Sequence, residues 1–241
     1  MVFEICSAIV GGLIWGWFTY HYAQWKVMIG PEEEDDESLK GMALVRDRIR
    51  RGEKKALANP DKIGILYIIV NIGIWILLLK LKGFSALYLM YAVSASLLCS
   101  LSYVDIRIQE LPPEENLLIG IIGLIHLFTD LPHRWEYLIG AVIVSGLFLA
   151  VGLISQGSAM GLGDVKLMAA LGLLFGWKQI LLAMVLGCLI GTMIHLPAVV
   201  FFKKSRQLAF GPYLAAGAFV VMCSGMQIVN WYLSLFSKNM M

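Results

Sequence analysis

Residues 84 to 104 read FSALYLMYAVSASLLCSLSYV, a run of 21 residues without a charged side chain. An α-helix needs about 20 apolar residues to cross the hydrocarbon of a bilayer. The run ends directly on Asp105, which is followed by Ile106 and Arg107. Because a carboxylate is costly to keep at the edge of hydrocarbon, Asp105 is a candidate functional residue at the end of a membrane helix.

Similar apolar runs recur along the whole chain. Hydrophobic residues make up 59% of the 241 residues and charged residues 15%, which is typical of an integral membrane protein and excludes an ordinary soluble domain. We therefore predict an all-α fold, a polytopic membrane helix bundle of about eight transmembrane helices. The predicted spans are residues 3 to 25, 63 to 80, 84 to 104, 116 to 131, 135 to 154, 164 to 177, 179 to 202 and 208 to 235, of which the fourth and sixth are short.

The connections between these runs are brief, so residues 1 to 241 are expected to form a single membrane domain. Residues 26 to 62 form the exception, a charged loop with an acidic run from Glu32 to Glu37 and an expected short amphipathic helix near residues 38 to 57. The first apolar run lacks a basic start and continues to spanning length, so we expect it to be retained and not cleaved. Pro197 and Pro212 are expected to kink or unwind the last two helices.

Lysine and arginine are sorted between the two sides of the predicted bundle. With the N-terminus outside, fourteen of the 19 basic residues lie on the inner side, and this excess marks the cytoplasm. The sequence thus predicts a multi-pass protein of the cell (inner) membrane, whose partners include the lipid bilayer. The net charge of +2 forms no basic patch, so nucleic acid is not an expected partner.

A second aspartate opens the sixth run, in Gly161-Leu162-Gly163-Asp164. The predicted topology puts Asp164 and Asp105 on the same, cytoplasmic side, where they could meet. Two carboxylates in contact share one proton, so one can take a proton from water while the other protonates a peptide carbonyl. Helix dipoles favour ionised Asp164 as the base and protonated Asp105 as the acid.

Each aspartate also has a purely structural interpretation. Asp164 could be an N-cap that accepts hydrogen bonds from free backbone N–H groups. Asp105 opposes the dipole at a helix C-terminus, and its structural alternative is a surface ion pair with Arg107. The glycines on either side of Leu162 fit a backbone with positive φ or a close approach of another chain, such as an extended peptide substrate that adds as a strand.

Three motifs in a fixed order resemble the signatures of the type IV prepilin peptidases. They are Asp105-Ile106-Arg107 with Leu111-Pro112, Gly161-Leu162-Gly163-Asp164-Val165-Lys166-Leu167 with Ala170-Leu171-Gly172, and Phe210-Gly211-Pro212-Tyr213-Leu214. The resemblance implies an intramembrane aspartyl endopeptidase that cuts the short basic leader from prepilins or pseudopilins at the cytoplasmic face. It assigns catalysis to Asp105 and Asp164, and a substrate-binding or supporting role to Gly161, Gly163, Lys166, Arg107, Phe210, Gly211 and Pro212. An aspartate pair needs no metal and no other cofactor.

The chain departs from the family pattern in its first cytoplasmic loop. Bifunctional members carry paired Cys-x-x-Cys motifs there and also methylate the new N-terminus, whereas residues 26 to 62 contain no cysteine. The departure leaves the methyltransferase activity in doubt. The acidic run Glu32 to Glu37 is either a solvated loop or a surface that steers a basic leader towards the site.

Two functions of other classes stay open on the sequence alone. An ion-coupled membrane transporter could use the aspartates as a proton relay, and it would be expected to carry carboxylates near mid-membrane and an internal repeat, neither of which is apparent. An inactive scaffold for pilus assembly is compatible with intact motifs. The particular pilin-like substrate, its cleavage sequence and the oligomeric state are not indicated by the sequence.

Overall fold

The computed structural model describes residues 2 to 29, 62 to 156, 160 to 202 and 209 to 239, and their side chains except at 29, 195 to 202 and 236 to 239. Most of the predicted charged loop, with the acidic run Glu32 to Glu37 and the expected helix near 38 to 57, lies outside the described residues. The predictions made for that loop therefore stay predictions.

The described residues form eight α-helices, one 3₁₀ turn and no strand. The helices are α1 (Val2–Ile29), α2 (Lys62–Lys82), α3 (Ala86–Ile108), α4 (Pro113–Thr129), α5 (Arg134–Ile154), α6 (Leu162–Phe175), α7 (Trp177–Phe202) and α8 (Gly211–Asn239), with the 3₁₀ turn at Leu131–His133. Each predicted span corresponds to one helix. The all-α membrane bundle is confirmed.

Six of the helices are long and apolar enough to cross a membrane, namely α1, α2, α3, α5, α7 and α8. The other two, α4 and α6, have 17 and 14 residues. At 1.5 Å per residue they are about 26 and 21 Å long, less than the roughly 30 Å of hydrocarbon. They are the fourth and sixth runs, which the sequence already marked as short. The chain is a multi-pass membrane protein, and the side on which each end lies stays a prediction.

The chain divides into two compact units, Met1–Pro112 and Pro113–Met241. The first unit contains α1 to α3, and the second contains α4 to α8. The prediction of a single membrane domain stays a prediction.

Close backbone contacts hold the first unit together. A Cβ atom added at Gly12 would lie 2.8 Å from Ile72 Cα, and one at Gly16 would lie 3.1 Å from Asn71 Cβ. These contacts pair α1 with α2 in opposite directions. Gly12 and Gly16 are four residues apart, a spacing that lets two membrane helices approach closely.

A buried polar network fixes α3 against both neighbours. The Ser96 hydroxyl donates to Asn71 Oδ1 at 2.8 Å and accepts from Trp75 Nε1 at 2.9 Å, which ties α3 to α2. Ser100 Oγ donates to the Thr19 carbonyl oxygen at 3.3 Å, which ties α3 to α1. Hydrogen bonds between helices are a main source of specificity in membrane bundles, because lipid supplies little hydrophobic driving force. The helix that carries Asp105 is thereby fixed in its unit.

In the second unit the short helix α6 packs against α4, α5 and α7. Its approach to α5 is so close that a Cβ added at Gly140 would lie 2.7 Å from the Gly172 carbonyl oxygen. A Cβ added at Gly172 would overlap the Gly140 carbonyl oxygen. Leu167, Leu171 and Leu174 are fully buried. The helix that carries Asp164 therefore packs closely against its neighbours along its length.

One carboxylate fixes the corner between α4 and α5. Asp130 accepts a hydrogen bond from the Tyr137 hydroxyl at 2.6 Å and lies 3.0 Å from His133 Nδ1. The Tyr137 hydrogen bond, followed by that of His133, holds the pKa of Asp130 below its usual value. Two of the helices that contact α6, namely α4 and α5, are thus joined by an ordered turn.

The expected kink at Pro212 is wrong. Pro212 is the second residue of α8, and proline fits the first turn of a helix, where its missing N–H has no intrahelical partner to lose. The break in α8 lies instead at Ser224, whose φ of −140° and ψ of 17° are not helical. Pro197 lies where the side chains are not described.

Replacing Gly172 by alanine is expected to destabilise the protein by about 1–3 kcal/mol, because the new methyl group overlaps the α5 backbone. The matched control is Gly146→Ala on α5, where no atom lies within 4 Å of the added Cβ. Helix propensity alone predicts that both changes stabilise. Thermal unfolding in detergent should therefore show a lowered Tm for Gly172→Ala only, and equal or raised Tm values for both variants would contradict the packing.

Candidate active site

Asp105 lies in the last turn of α3 and is buried, with 5% of its surface exposed. Its carbonyl oxygen accepts from the backbone N–H of Gln109 at 2.9 Å, and Gln109 ends the helix with a positive φ of 57°. The helix thus continues beyond the predicted span end at 104 and holds Asp105 inside its final turn. A buried carboxylate opposes the dipole at this end.

Arg107 differs from Asp105 in its surroundings. It is exposed, and its guanidinium lies 5.5 Å from the ring centroid of Tyr103. Residues two apart in a helix do not face each other. A surface ion pair of Asp105 with Arg107 therefore finds no support in the geometry.

Asp164 lies in the first turn of α6 and is 8% exposed. The N-cap is Gly161, so the interpretation of Asp164 as the N-cap is wrong. Asp164 is the third helical residue, and its backbone N–H donates to the Gly161 carbonyl oxygen at 3.2 Å. The carboxylate still lies at the positive end of the helix dipole, which favours a negative charge.

The glycines beside Leu162 were predicted to allow either a positive φ or a close approach of another chain. The positive φ is wrong. Gly161 has a φ of −80°, and Gly163 belongs to the regular helix. A Cβ added at Gly161 would meet only ordinary contacts, such as Asp164 Oδ2 at 3.7 Å. The other predicted use, a close approach of a second chain, stays a prediction.

Two buried polar residues of α4 belong to this region and escaped the sequence analysis. Asn116 Nδ2 donates to the Gly163 carbonyl oxygen at 3.3 Å, directly before Asp164. Asn116 is 4% exposed, and its neighbour Glu115 is 2% exposed. The available signal was a polar pair, Glu115-Asn116, at the start of an apolar run. The predicted fourth span begins at residue 116, so it contains Asn116 and leaves out Glu115, whereas both side chains are buried.

The remaining predicted residues fall into two groups in the second unit. Gly161, Gly163 and Lys166 lie with Asp164 at the start of α6, and Lys166 is exposed. Phe210 precedes α8, and its carbonyl oxygen accepts from the N–H groups of Tyr213 and Leu214 at 3.1 and 3.2 Å.

Phe210 also packs on α5, since its ring lies 6.3 Å from that of Phe148. Gly211 is buried and Pro212 half-buried in the first turn of α8. The late motif therefore starts α8 and attaches its first turn to α5.

The structure brings together the residues at the start of α6 with Asn116 of α4. Asp105 and Arg107 belong to the first unit, and Asp164 belongs to the second. Within the residues that the structure describes, no group of three or more His, Cys, Asp and Glu side chains could hold a metal ion.

Comparison with known proteins gives consistent matches. The model of the type IV leader peptidase family matches residues 92–196, a segment that contains both aspartates. A prepilin leader peptidase/N-methyltransferase of Aeromonas hydrophila is 30% identical over 146 residues, 58% of this chain and 50% of the relative. One of Xanthomonas campestris pv. campestris is 31% identical over 200 residues, 76% of this chain and 67% of the relative.

The Bacillus subtilis relative of the same name is 30% identical over 148 residues, 59% of this chain and 58% of the relative. The chain spans about half the length of the first curated relatives that it matches. No solved structure matches significantly. By its sequence matches and its membrane-helical fold, the chain belongs to the type IV leader peptidase family.

Proposed function

We propose that this protein is a membrane-embedded aspartyl endopeptidase that removes the short basic leader from prepilins or pilin-like proteins at the cytoplasmic face. The observation that carries the proposal is the burial of Asp105 and Asp164 at the ends of two apolar helices. Burial there is costly to folding, and ionisable residues kept in such places usually serve a function. Family membership supports the choice of substrate class.

In the proposed reaction the two carboxylates share one proton. The ionised carboxylate takes a proton from water as the oxygen of that water attacks the scissile carbonyl carbon, and the protonated carboxyl group gives its proton to the carbonyl oxygen. As the tetrahedral intermediate collapses and its C–N bond breaks, the carboxyl group that took the proton from water gives it to the leaving nitrogen. The other carboxylate takes a proton from a hydroxyl of the intermediate, which restores the shared proton. The products are the leader acid and the mature N-terminus. N-methylation is not part of the proposal.

Carboxylates at helix ends suit peptide hydrolysis better than proton transport across the membrane. A proton relay through the bilayer would be expected to use carboxylates near mid-span, whereas Asp105 lies in the last turn of α3 and Asp164 in the first turn of α6. A substrate whose leader remains in water would reach such positions without crossing the hydrocarbon. This favours the peptidase over the transporter.

The hydrogen bond from Asn116 to the Gly163 carbonyl oxygen fixes the backbone directly before Asp164. Asn116 Oδ1 is buried and finds no hydrogen-bond partner within the described residues, while the amide nitrogen binds Gly163. An unsatisfied buried oxygen is costly to stability. Asn116 therefore lowers the stability of the protein. We propose that it is kept as a positioning residue of the site.

Changing Asp105→Asn or Asp164→Asn should lower cleavage at least about 100-fold, because each change removes a proton-transfer group. The assay co-expresses the enzyme with a substrate made of a short basic leader, a glycine and an apolar helix, and measures the mature product by mass. Glu110→Gln, a half-exposed carboxylate just after α3, is the control and should cleave normally. Equal product from wild type and either aspartate variant would overturn the mechanism.

Changing Asn116→Leu should reduce cleavage about tenfold. The change removes the hydrogen bond that holds the Gly163 carbonyl, and the loss of roughly 1.4 kcal/mol corresponds to a factor of about ten in rate. The Tm should stay equal or rise, since leucine fills the site without an unpaired oxygen. The comparison is Thr129→Val at the exposed end of the same helix, where the hydroxyl binds only the local His126 carbonyl. Full cleavage by a folded Asn116→Leu protein would remove Asn116 from the site.

A further inference from the structure

The break in α8 at Ser224 is followed by a groove between α8 and α7. Before the break the two helices are in close backbone contact, since a Cβ added at Gly217 would overlap the Ala183 carbonyl oxygen. A Cβ added at Gly187 would lie 3.2 Å from Leu214 Cα. After the break the helices separate and leave a groove of about 500 Å³. Its walls include aliphatic side chains of both helices, namely Leu181, Leu182, Val185, Ile228, Val229 and Leu233.

The groove has the length of one lipid leaflet. On α7 it extends from Trp177 to Val185, which is about 12 Å at 1.5 Å per residue. The hydrocarbon of a bilayer is about 30 Å thick, so one leaflet contributes about 15 Å. A docked membrane helix would need more room, because each turn of a helix with its side chains occupies roughly 400 to 600 Å³. The groove holds about one such turn, so it fits an extended chain and not a membrane helix.

One end of the groove lies where α7 begins, at Trp177. A Cβ added at Gly225 would lie 3.0 Å from Gln179 Oε1, so the residues of α8 that follow the break also lie at this end. Trp231 and Tyr232 are among them, and both line the groove and are more than half exposed. Tryptophan and tyrosine are enriched where hydrocarbon meets the lipid head groups. This end of the groove is therefore expected at the membrane surface.

A lysine supplies a positive charge at the same end. Lys178 lines the groove, and its ammonium group donates to Glu136 Oε1 of α5 at 3.4 Å. The side chain is 35% exposed, and an ammonium group has three donors, so it can bind an anion beside the groove as well. Basic residues at grooves between membrane helices bind lipid head groups. A ligand with an apolar chain and a phosphate at one end matches both features of the groove.

We propose that the groove binds one acyl chain of a membrane phospholipid, whose phosphate group lies against Lys178. The chain covers the aliphatic walls that the break in α8 leaves open, and the phosphate shares the lysine with Glu136. A bound lipid therefore stabilises the end of α8 against α7. The inference does not depend on the proposed function, because Asp164 lies at the start of α6 and the groove lies beyond the end of α6.

Lipid binding to the purified, delipidated protein in detergent tests the proposal. The probe is palmitoyl-oleoyl phosphatidylglycerol, and native mass spectrometry should show one retained lipid per chain. Because a ligand that binds only the folded state stabilises it, the lipid should raise the Tm by about 5 °C or more. No retained lipid and no rise in Tm would contradict the proposal.

Two fragments of the probe test the two contacts. The diacylglycerol with the same chains lacks the phosphate, and inorganic phosphate lacks the chains. Each should raise the Tm by less than about half as much as phosphatidylglycerol. Equal effects of phosphatidylglycerol and diacylglycerol would overturn the contact with Lys178, and an effect of inorganic phosphate as large as that of the lipid would overturn the acyl chain in the groove.

A matched pair of substitutions tests the position of the chain. Val185→Trp fills the groove from a wall residue that is 47% exposed, and it should reduce the rise in Tm to less than about 2 °C. Val70→Trp on α2 is the control, because Val70 is 49% exposed and lies outside the groove, and it should keep the full rise. If Val185→Trp responds to the lipid as the wild type does, the lipid binds elsewhere and the proposal is wrong.

A second pair tests the charge. Lys178→Met should weaken binding of phosphatidylglycerol about fivefold, the effect of one lysine near a lipid head group. Glu136→Gln breaks the same ion pair but keeps the lysine, so it should bind the lipid at least as well as the wild type. An equal loss of affinity in both variants would assign the effect to the ion pair and overturn the phosphate contact.

Size-exclusion chromatography of the same variants tests the competing occupant, a second copy of this chain. The proposal predicts the same oligomeric state for the wild type and Val185→Trp. If Val185→Trp turned a dimer into monomers and left lipid retention unchanged, the groove would belong to the second copy and the proposal would be wrong.

Discussion

The main constraint on this fold is that it keeps two carboxylates out of water at the ends of apolar helices. A carboxylate loses hydration when it is buried, and a folded protein keeps it only where neighbouring groups compensate. Asp105 and Asp164 are both less than a tenth exposed. Much of the surrounding structure supports this unfavourable placement.

The two units provide that support in different ways. In the first unit, Asn71, Trp75 and Ser96 form hydrogen bonds that hold α3, the helix of Asp105, against α2. In the second unit, α6 is too short to cross a membrane and is held by backbone contact with α5 at Gly140 and Gly172. A short helix that is packed this closely against its neighbour suits a site that must keep its geometry.

The sequence predicted the helices because they depend on local signals, and the same signals single out the two aspartates as candidates. A run of 21 uncharged residues is long enough to span a membrane, and an aspartate is unusual at the edge of such a run. The N-cap interpretation of Asp164 failed because a shift of three residues at a helix start depends on tertiary contacts, here with α4.

The burial of Lys26 and Asn116 could not be predicted from the sequence for a related reason. Lys26 belongs to the predicted charged loop by composition, yet it lies in the last turn of α1 and is buried. Asn116 is the first residue of the predicted fourth span, and nothing in the sequence indicates that its side chain is buried. Packing between helices that are distant in sequence buries both side chains, and hydrophobic periodicity carries no information about that packing.

The central claim is that residues 105 and 164 meet in the working enzyme. In a variant whose native cysteines, Cys6, Cys99, Cys188 and Cys223, are replaced by serine, Asp105→Cys and Asp164→Cys would be introduced together and treated in membranes with a short thiol cross-linker. The account predicts linked peptides containing residues 105 and 164 within one chain, identified by mass spectrometry after proteolysis. Both cysteines reacting with a small thiol reagent, yet giving no such link with or without bound substrate, would contradict it.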